Sequence, residues 1–168
     1  MPTYVALLRA VNVGGTGKLP MSDLRALCAA AGFESVQTYI ASGNVVFTSD
    51  RPAADVKGRL EAALADYAGK PVGVLLRTPT ELAAVLAANP FGSAPPNRVL
   101  VTFLDSPPAE DAVDFATGRR DEEIALGERE IYIHYGEGMG SSKLTVPAAR
   151  QGTARNINTV RKLVEMAS

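Results

Sequence analysis

The chain has 168 residues, a formal net charge of −1, 46% hydrophobic residues and 21% charged ones. Such a chain can bury a core and is not disordered, and its length suits one domain or two small ones. No apolar run approaches the ~18 residues of a membrane span, and the start Met1-Pro2-Thr3-Tyr4 has no basic leader. One cysteine, Cys28, and one histidine, His134, exclude an internal disulfide, thiolate zinc clusters and His-rich metal sites. A cytoplasmic protein with no metal and no cofactor is the expectation. The charge is unevenly spread: residues 1–71 carry +1, residues 72–142 carry −6 and residues 143–168 carry +4.

In chain order, Tyr4 to Val11 reads as a strand buried on both faces. Asn12 to Leu19, with three glycines, is a loop. Pro20 suits a first helical turn; Met21, Leu24, Leu27, Cys28 and Ala31 recur at helical spacing, and Gly32 is the stop. Val36 to Ala41 and Val45 to Thr48 form a hairpin about Ser42-Gly43-Asn44. Pro52 opens a helix with a stripe of Val56, Leu60, Ala63, Leu64 and Tyr67, and Val72 to Leu76 is the next strand. The order βαββαβ is the ferredoxin-like split motif.

Thr78-Pro-Thr-Glu81 has the form of a capping box and starts a helix that ends at Asn89-Pro90. Residues 91–97 form a Pro/Gly-rich linker. Val99 to Leu104 is a strand, and Ser106-Pro-Pro opens a short helix to Ala116. Ile124–Leu126 and Ile131–Tyr135 make a second hairpin about Gly127-Glu128. A helix near 143–150 and a last helix bearing Ile157, Val160, Leu163, Val164 and Ala167 complete the chain. The expected fold is thus α/β (α+β): a ferredoxin-like half over 1–78, then a related βαββα half with C-terminal helices over 79–168, sharing one core. The alternation implies antiparallel or mixed sheet, not a doubly wound parallel one. The suggested duplication rests on element order, since no repeat is visible residue by residue.

Asn12 to Lys18, with Gly14 and Gly15, has the ingredients of a phosphate cradle: flexible backbone, a lysine and a following helix. The nucleotide-binding pattern G-x-x-x-x-G-K-[ST] fails at Asn12 and Leu19, and Pro20 removes a donor, leaving a looser anion contact or a plain connection. Ser42-Gly43-Asn44 is a hairpin turn by composition, and the topology is taken to put it at the sheet end opposite that loop. Lys143, Arg150, Arg155, Asn156, Asn158, Arg161 and Lys162 form the basic terminus. There Thr153 or Asn156 is the helix cap, and Arg155-Asn156 suits phosphate or carboxylate recognition; docking on the acidic middle segment is the rival reading. Arg9 interrupts an apolar strand and needs a partner or a cleft. His134 reads as a solvent-facing strand position, Cys28 as a packing thiol, and Glu122-Glu123 with Asp111 and Asp114 as a solvated acidic face.

Three segments carry a resemblance: Tyr4-Val-Ala-Leu-Leu-Arg9 with Asn12-Val-Gly-Gly15, Thr38-Tyr-Ile-Ala-Ser-Gly-Asn-Val-Val-Phe47, and Lys143-Leu-Thr with Thr153-Ala-Arg-Asn-Ile-Asn-Thr-Val160. Together they resemble the bacterial domain-of-unknown-function family numbered sixteen ninety-seven. That family usually has Gly at Ala10, Gln at Ala41 and Trp at Ile157. The resemblance implies a compact α/β protein with ferredoxin-like halves. It also implies that Arg9, Asn12, Ser42, Asn44, Arg155 and Asn156 belong to the family motif; no catalytic residue carries over.

The leading functional expectation is a small-ligand domain for a phosphate-bearing metabolite or other anion. Its site combines Arg9, Asn12, Gly14, Gly15, Lys18, Ser42, Asn44, Lys143, Arg155 and Asn156. The alternatives are nucleic-acid binding through the basic terminus, opposed by a pI near 5.9 and 6% aromatics, and an interaction module that uses its sheet edges. No group has a partner that spacing alone places within reach for catalysis.

Overall fold

The first half follows its hydrophobic pattern closely. A computed structural model describes residues 1–9, 18–136 and 142–168. It places β1 (Thr3–Leu8), α1 (Met21–Ala30), β2 (Glu34–Tyr39), β3 (Asn44–Thr48), α2 (Ala53–Ala68), β4 (Val74–Arg77) and α3 (Pro79–Ala87). Gly32 follows α1 at φ +93°, the left-handed stop that an L side chain disfavours. At α3 the capping box forms in both directions: the Thr78 amide donates to Glu81 Oε1 at 2.9 Å and the Glu81 amide to Thr78 Oγ1 at 3.1 Å.

The sheet is antiparallel in the order β2-β3-β1-β4. Tyr4, Ala6, Leu8, Val45 and Phe47 form a core with Leu24 and Cys28 of α1 and Val56, Leu60 and Leu64 of α2. Each large side chain buried there contributes about 1.5–3 kcal/mol. Burial pushes the Cys28 thiol up to about 12, as suits a packing group. Tyr67, expected in the α2 stripe, is instead 44% exposed, and its hydroxyl donates to Asp23 at 2.6 Å.

The second half contains β5 (Val99–Phe103), β6 (Glu123–Leu126), β7 (Glu130–His134), β8 (Thr153–Asn156) and α4 (Ile157–Ala167), with sheet order β6-β7-β5-β8. This sheet too is antiparallel. Strand β8 adds the fourth strand to the βαββα order expected here. The helices expected over 106–116 and 143–150 shorten to 3-10 turns at Ala112–Phe115 and Pro147–Gln151. Pro107, Pro108 and Pro147 lack the N–H groups a longer helix needs. Asn156, not Thr153, caps α4, its Oδ1 accepting the Asn158 amide at 2.8 Å.

The chain divides into two units, Met1–Glu81 with Leu163–Ser168, and Leu82–Lys162. Both crossings fall inside helices, α3 and α4. The Pro/Gly-rich stretch 91–97 lies within the second unit. Among the described residues, no helix is long and apolar enough to cross a membrane.

Register exposes a repeat that the residues conceal. Val5 pairs with Arg77 as Val101 pairs with Arg155. Leu7 pairs with Asn44 as Phe103 pairs with Glu130. The Leu8 amide donates to Gly43 O and the Leu104 amide to Arg129 O, both at 2.9 Å. Thr78 and Asn156, each directly after its arginine, cap α3 and α4. The same strand frame is therefore built twice, with α1 and α2 represented by 3-10 turns in the second unit.

Candidate functional site

The antiparallel pairing of β1 with β3 corrects one expectation. Where β1 ends, β3 begins, so the β2–β3 turn lies at the same sheet end as the loop leaving β1, not the opposite one. The Leu8 amide donates to Gly43 O at 2.9 Å and the Arg9 amide to Gly73 O at 2.9 Å. The end of β1, the Ser42–Asn44 turn and the lead-in to β4 thus meet at this edge of the first unit. Arg9 is half-buried. A Cβ on Gly73 would lie 3.0 Å from Arg9 Cδ, so the glycine leaves room for the side chain to pass.

The turn is built from within. Asn44 is fully buried, and its Nδ2 donates to Tyr39 O and Ser42 Oγ at 2.9 Å each. Gly43 adopts φ +89°. Ser42 stays exposed. Ile40, in the same turn, is held at φ +49° while half its surface faces solvent. A left-handed β-branched residue is a backbone outlier costing about 1–2 kcal/mol. Lys18 is exposed, one residue before Leu19, which enters the core. Asn12, Gly14 and Gly15 lie outside the described residues.

The other candidates belong to the second unit. Lys143 is exposed, its carbonyl close against Gly118 beside the Thr117–Thr145 bridge. Arg155 is 5% exposed, and its Nη1 donates to Ala154 O at 2.9 Å and to Thr153 Oγ1. Burial lowers its pKa to about 10, which keeps it charged at neutral pH. Arg77 repeats this geometry, 2% exposed, with Nη1 on Leu76 O at 2.9 Å. Asn156 spends its side-chain oxygen on the α4 cap. In both units the strand arginine bonds to the backbone just before it and stands next to a helix cap.

Two further expectations change. Glu122, expected in a solvated acidic face, is buried, accepting the Arg120 amide at 2.6 Å and the Ser142 hydroxyl at 2.6 Å. Those bonds, the Arg120 amide first, hold its carboxyl below the usual range. His134 is only partly open, with Glu123 Oε1 at 3.3 Å from Nδ1 and the Phe91 ring 5.6 Å away. At the far end of the first sheet lies an open recess of about 490 Å³, with Glu34, Asp50, Arg51 and Asp55 in its wall. Arg51 is paired there with Asp55 at 2.9 Å, so carboxylates prevail and the recess does not suit an anion.

Sequence reasoning missed Arg77, Gly73 and Ile40. Arg77 gave the same signal as Arg9, a charge closing an apolar strand. Gly73 gave none, because its role depends on Arg9, distant in sequence, and Ile40 gave none, because isoleucine carries no mark of the left-handed backbone it adopts. At this sheet end the described residues thus bring the backbone of Arg9 beside a turn that carries the exposed Ser42 and the left-handed Gly43.

The sequence profile of a family described as protein of unknown function (DUF1697) matches residues 1–132. No curated protein matches the chain. Among solved structures, the chain is similar to the conserved bacterial protein SP0830 from Streptococcus pneumoniae, at 27% identity over 99% of each chain with a TM-score of 0.79.

Proposed function

The chain belongs to DUF1697, a family of proteins of unknown function, and from that premise we propose that it binds a small phosphate-bearing ligand at the Arg9 end of its first sheet. The observation that carries the reading is the register that sets Arg9 and the Ser42–Asn44 turn at one edge, through Leu8 N to Gly43 O and Arg9 N to Gly73 O. Arg9 supplies charge and a planar fork, and Ser42 a hydroxyl donor. Asn44 and Gly73 shape the site without touching the ligand: the Asn44 amide is committed to the turn, and Gly73 clears the path of Arg9. Lys18 adds positive charge where the chain re-enters α1. Arg155 and Asn156 support the fold in this reading.

An amide NMR titration with inorganic phosphate tests it. Saturable shifts are expected at Arg9, Ser42, Gly43 and Gly73, and they should vanish in Arg9→Ala while the rest of the spectrum stays folded. Shifts that do not saturate, or that survive in Arg9→Ala, would reject the reading.

A further inference from the structure

Ile40 breaks a rule with no visible compensation among the described residues of its own unit. Among the described residues, only Ser35 and Ile40 are non-glycines at positive φ, at 52° and 49°. Ser35 sits where β2 slips against β3 between Glu34 and Gln37, and a bulge accounts for its backbone. Ile40 has no such bulge. It directly follows the Tyr39 carbonyl, which accepts from the buried Asn44 amide at 2.9 Å. Asparagine or glycine would adopt that backbone freely. A β-branched residue there is strained, and with 50% of its surface exposed it gains little from burial. Strain kept at an exposed apolar side chain points to a contact made with something else.

Its position says with what. Ile40 belongs to the same short turn as Ser42, at the sheet end where β1 delivers Arg9. The second unit offers an internal control. Its equivalent turn is Gly127-Glu128-Arg129, with no large apolar residue, and the residue after Leu104 is Asp105 instead of arginine. The exposed apolar side chain is thus missing from the counterpart turn, where the residue after the strand is acidic and the cation, Arg129, belongs to the turn itself. We propose that Ile40 is a specificity-determining contact, and that the ligand is a phosphate ester whose organic part is apolar. Arg9 and Ser42 hold the phosphate and Ile40 covers the apolar group. This rests on the phosphate reading above.

The test compares inorganic phosphate, phenyl phosphate and glycerol phosphate on the wild-type chain, Ile40→Asn and Ile40→Gly, by amide NMR titration and thermal unfolding. Wild type should bind phenyl phosphate about tenfold more tightly than the other two, as burial of a small apolar contact provides. Both variants should lose that preference and keep the inorganic phosphate affinity. Ile40→Asn should also unfold about 2–4 °C higher, because the strain is relieved. Equal binding of the three probes by wild type overturns the inference and leaves the phosphate reading standing. So does a preference retained in both variants, or a lower Tm for Ile40→Asn, which would mean that the fold itself uses the side chain. Failure of all three probes to bind overturns both.

Discussion

In the first unit β1 leads to Arg9 beside the turn that holds Ile40 and Ser42; in the second, β5 leads to Asp105 beside Gly127, Glu128 and Arg129. At the other end of the same strands the two units agree: Arg77 and Arg155 each oppose a valine, are buried and bond to the preceding carbonyl. What the repeat preserves is therefore frame, and what it varies is chemistry. That contrast separates two arginines that look alike in sequence. Arg155 stands in a motif-rich segment yet shares its role with the unremarked Arg77. The position that corresponds to Arg9 holds Asp105 in the second unit, where the cation at that sheet end is Arg129 of the turn.

The largest expected effect tests the shared frame. Arg77→Ala and Arg155→Ala should each cost about 2–4 kcal/mol in urea unfolding, from lost packing and carbonyls left without donors. Comparable losses support the equivalence; a negligible loss at either arginine breaks it. Tyr132→Phe tests a bond peculiar to the second unit. The Tyr132 hydroxyl, pushed up to about 12 chiefly by burial and so kept protonated, donates to Val85 O at 2.8 Å. Its removal should cost about 1–2 kcal/mol, whereas the matching first-unit position, Val46, has no such hydroxyl. Thr78→Ala and Asn156→Ala should each cost about 1 kcal/mol as caps of equivalent helices. The smallest effect is confined to acid. Glu122 has its folded pKa lowered by the Arg120 amide and Ser142. Its contribution is fully present above the ordinary carboxylate range and fades as pH falls through the lowered value. Glu122→Gln should flatten the acid side of the stability–pH curve; an unchanged curve would remove that role.

Much of this fold was legible because apolar period and punctuation agree. Gly32, Pro52 and the Thr78–Glu81 box mark helix ends, and they do so with local chemistry alone. Strand β8 was not legible: Thr-Ala-Arg-Asn is four residues long and polar, and its alternation becomes a strand only when β5 pairs with it. The repeat was hidden for a similar reason. Equivalent positions hold Asn44 and Glu130, Phe47 and Ile133, or Thr78 and Asn156, so only register reveals them. At the candidate site, Arg9 and Ser42 were visible as a charge in an apolar strand and a polar turn residue. Their adjacency was misjudged, because it follows from strand direction and not from composition. The strain at Ile40 has no sequence signature, since isoleucine is ordinary in a strand and unusual only at φ +49°.

Thermal unfolding with inorganic phosphate, on wild type, Arg9→Ala and Arg155→Ala, tests most directly whether the Arg9 end binds an anion. At a hundredfold excess over Kd the wild-type Tm should rise by about 5–10 °C. Arg155→Ala, starting from a lower Tm, should keep the same rise, and Arg9→Ala should lose it. A wild-type Tm unmoved by phosphate, or a rise that Arg9→Ala retains and Arg155→Ala abolishes, would contradict the assignment of the site to the first unit.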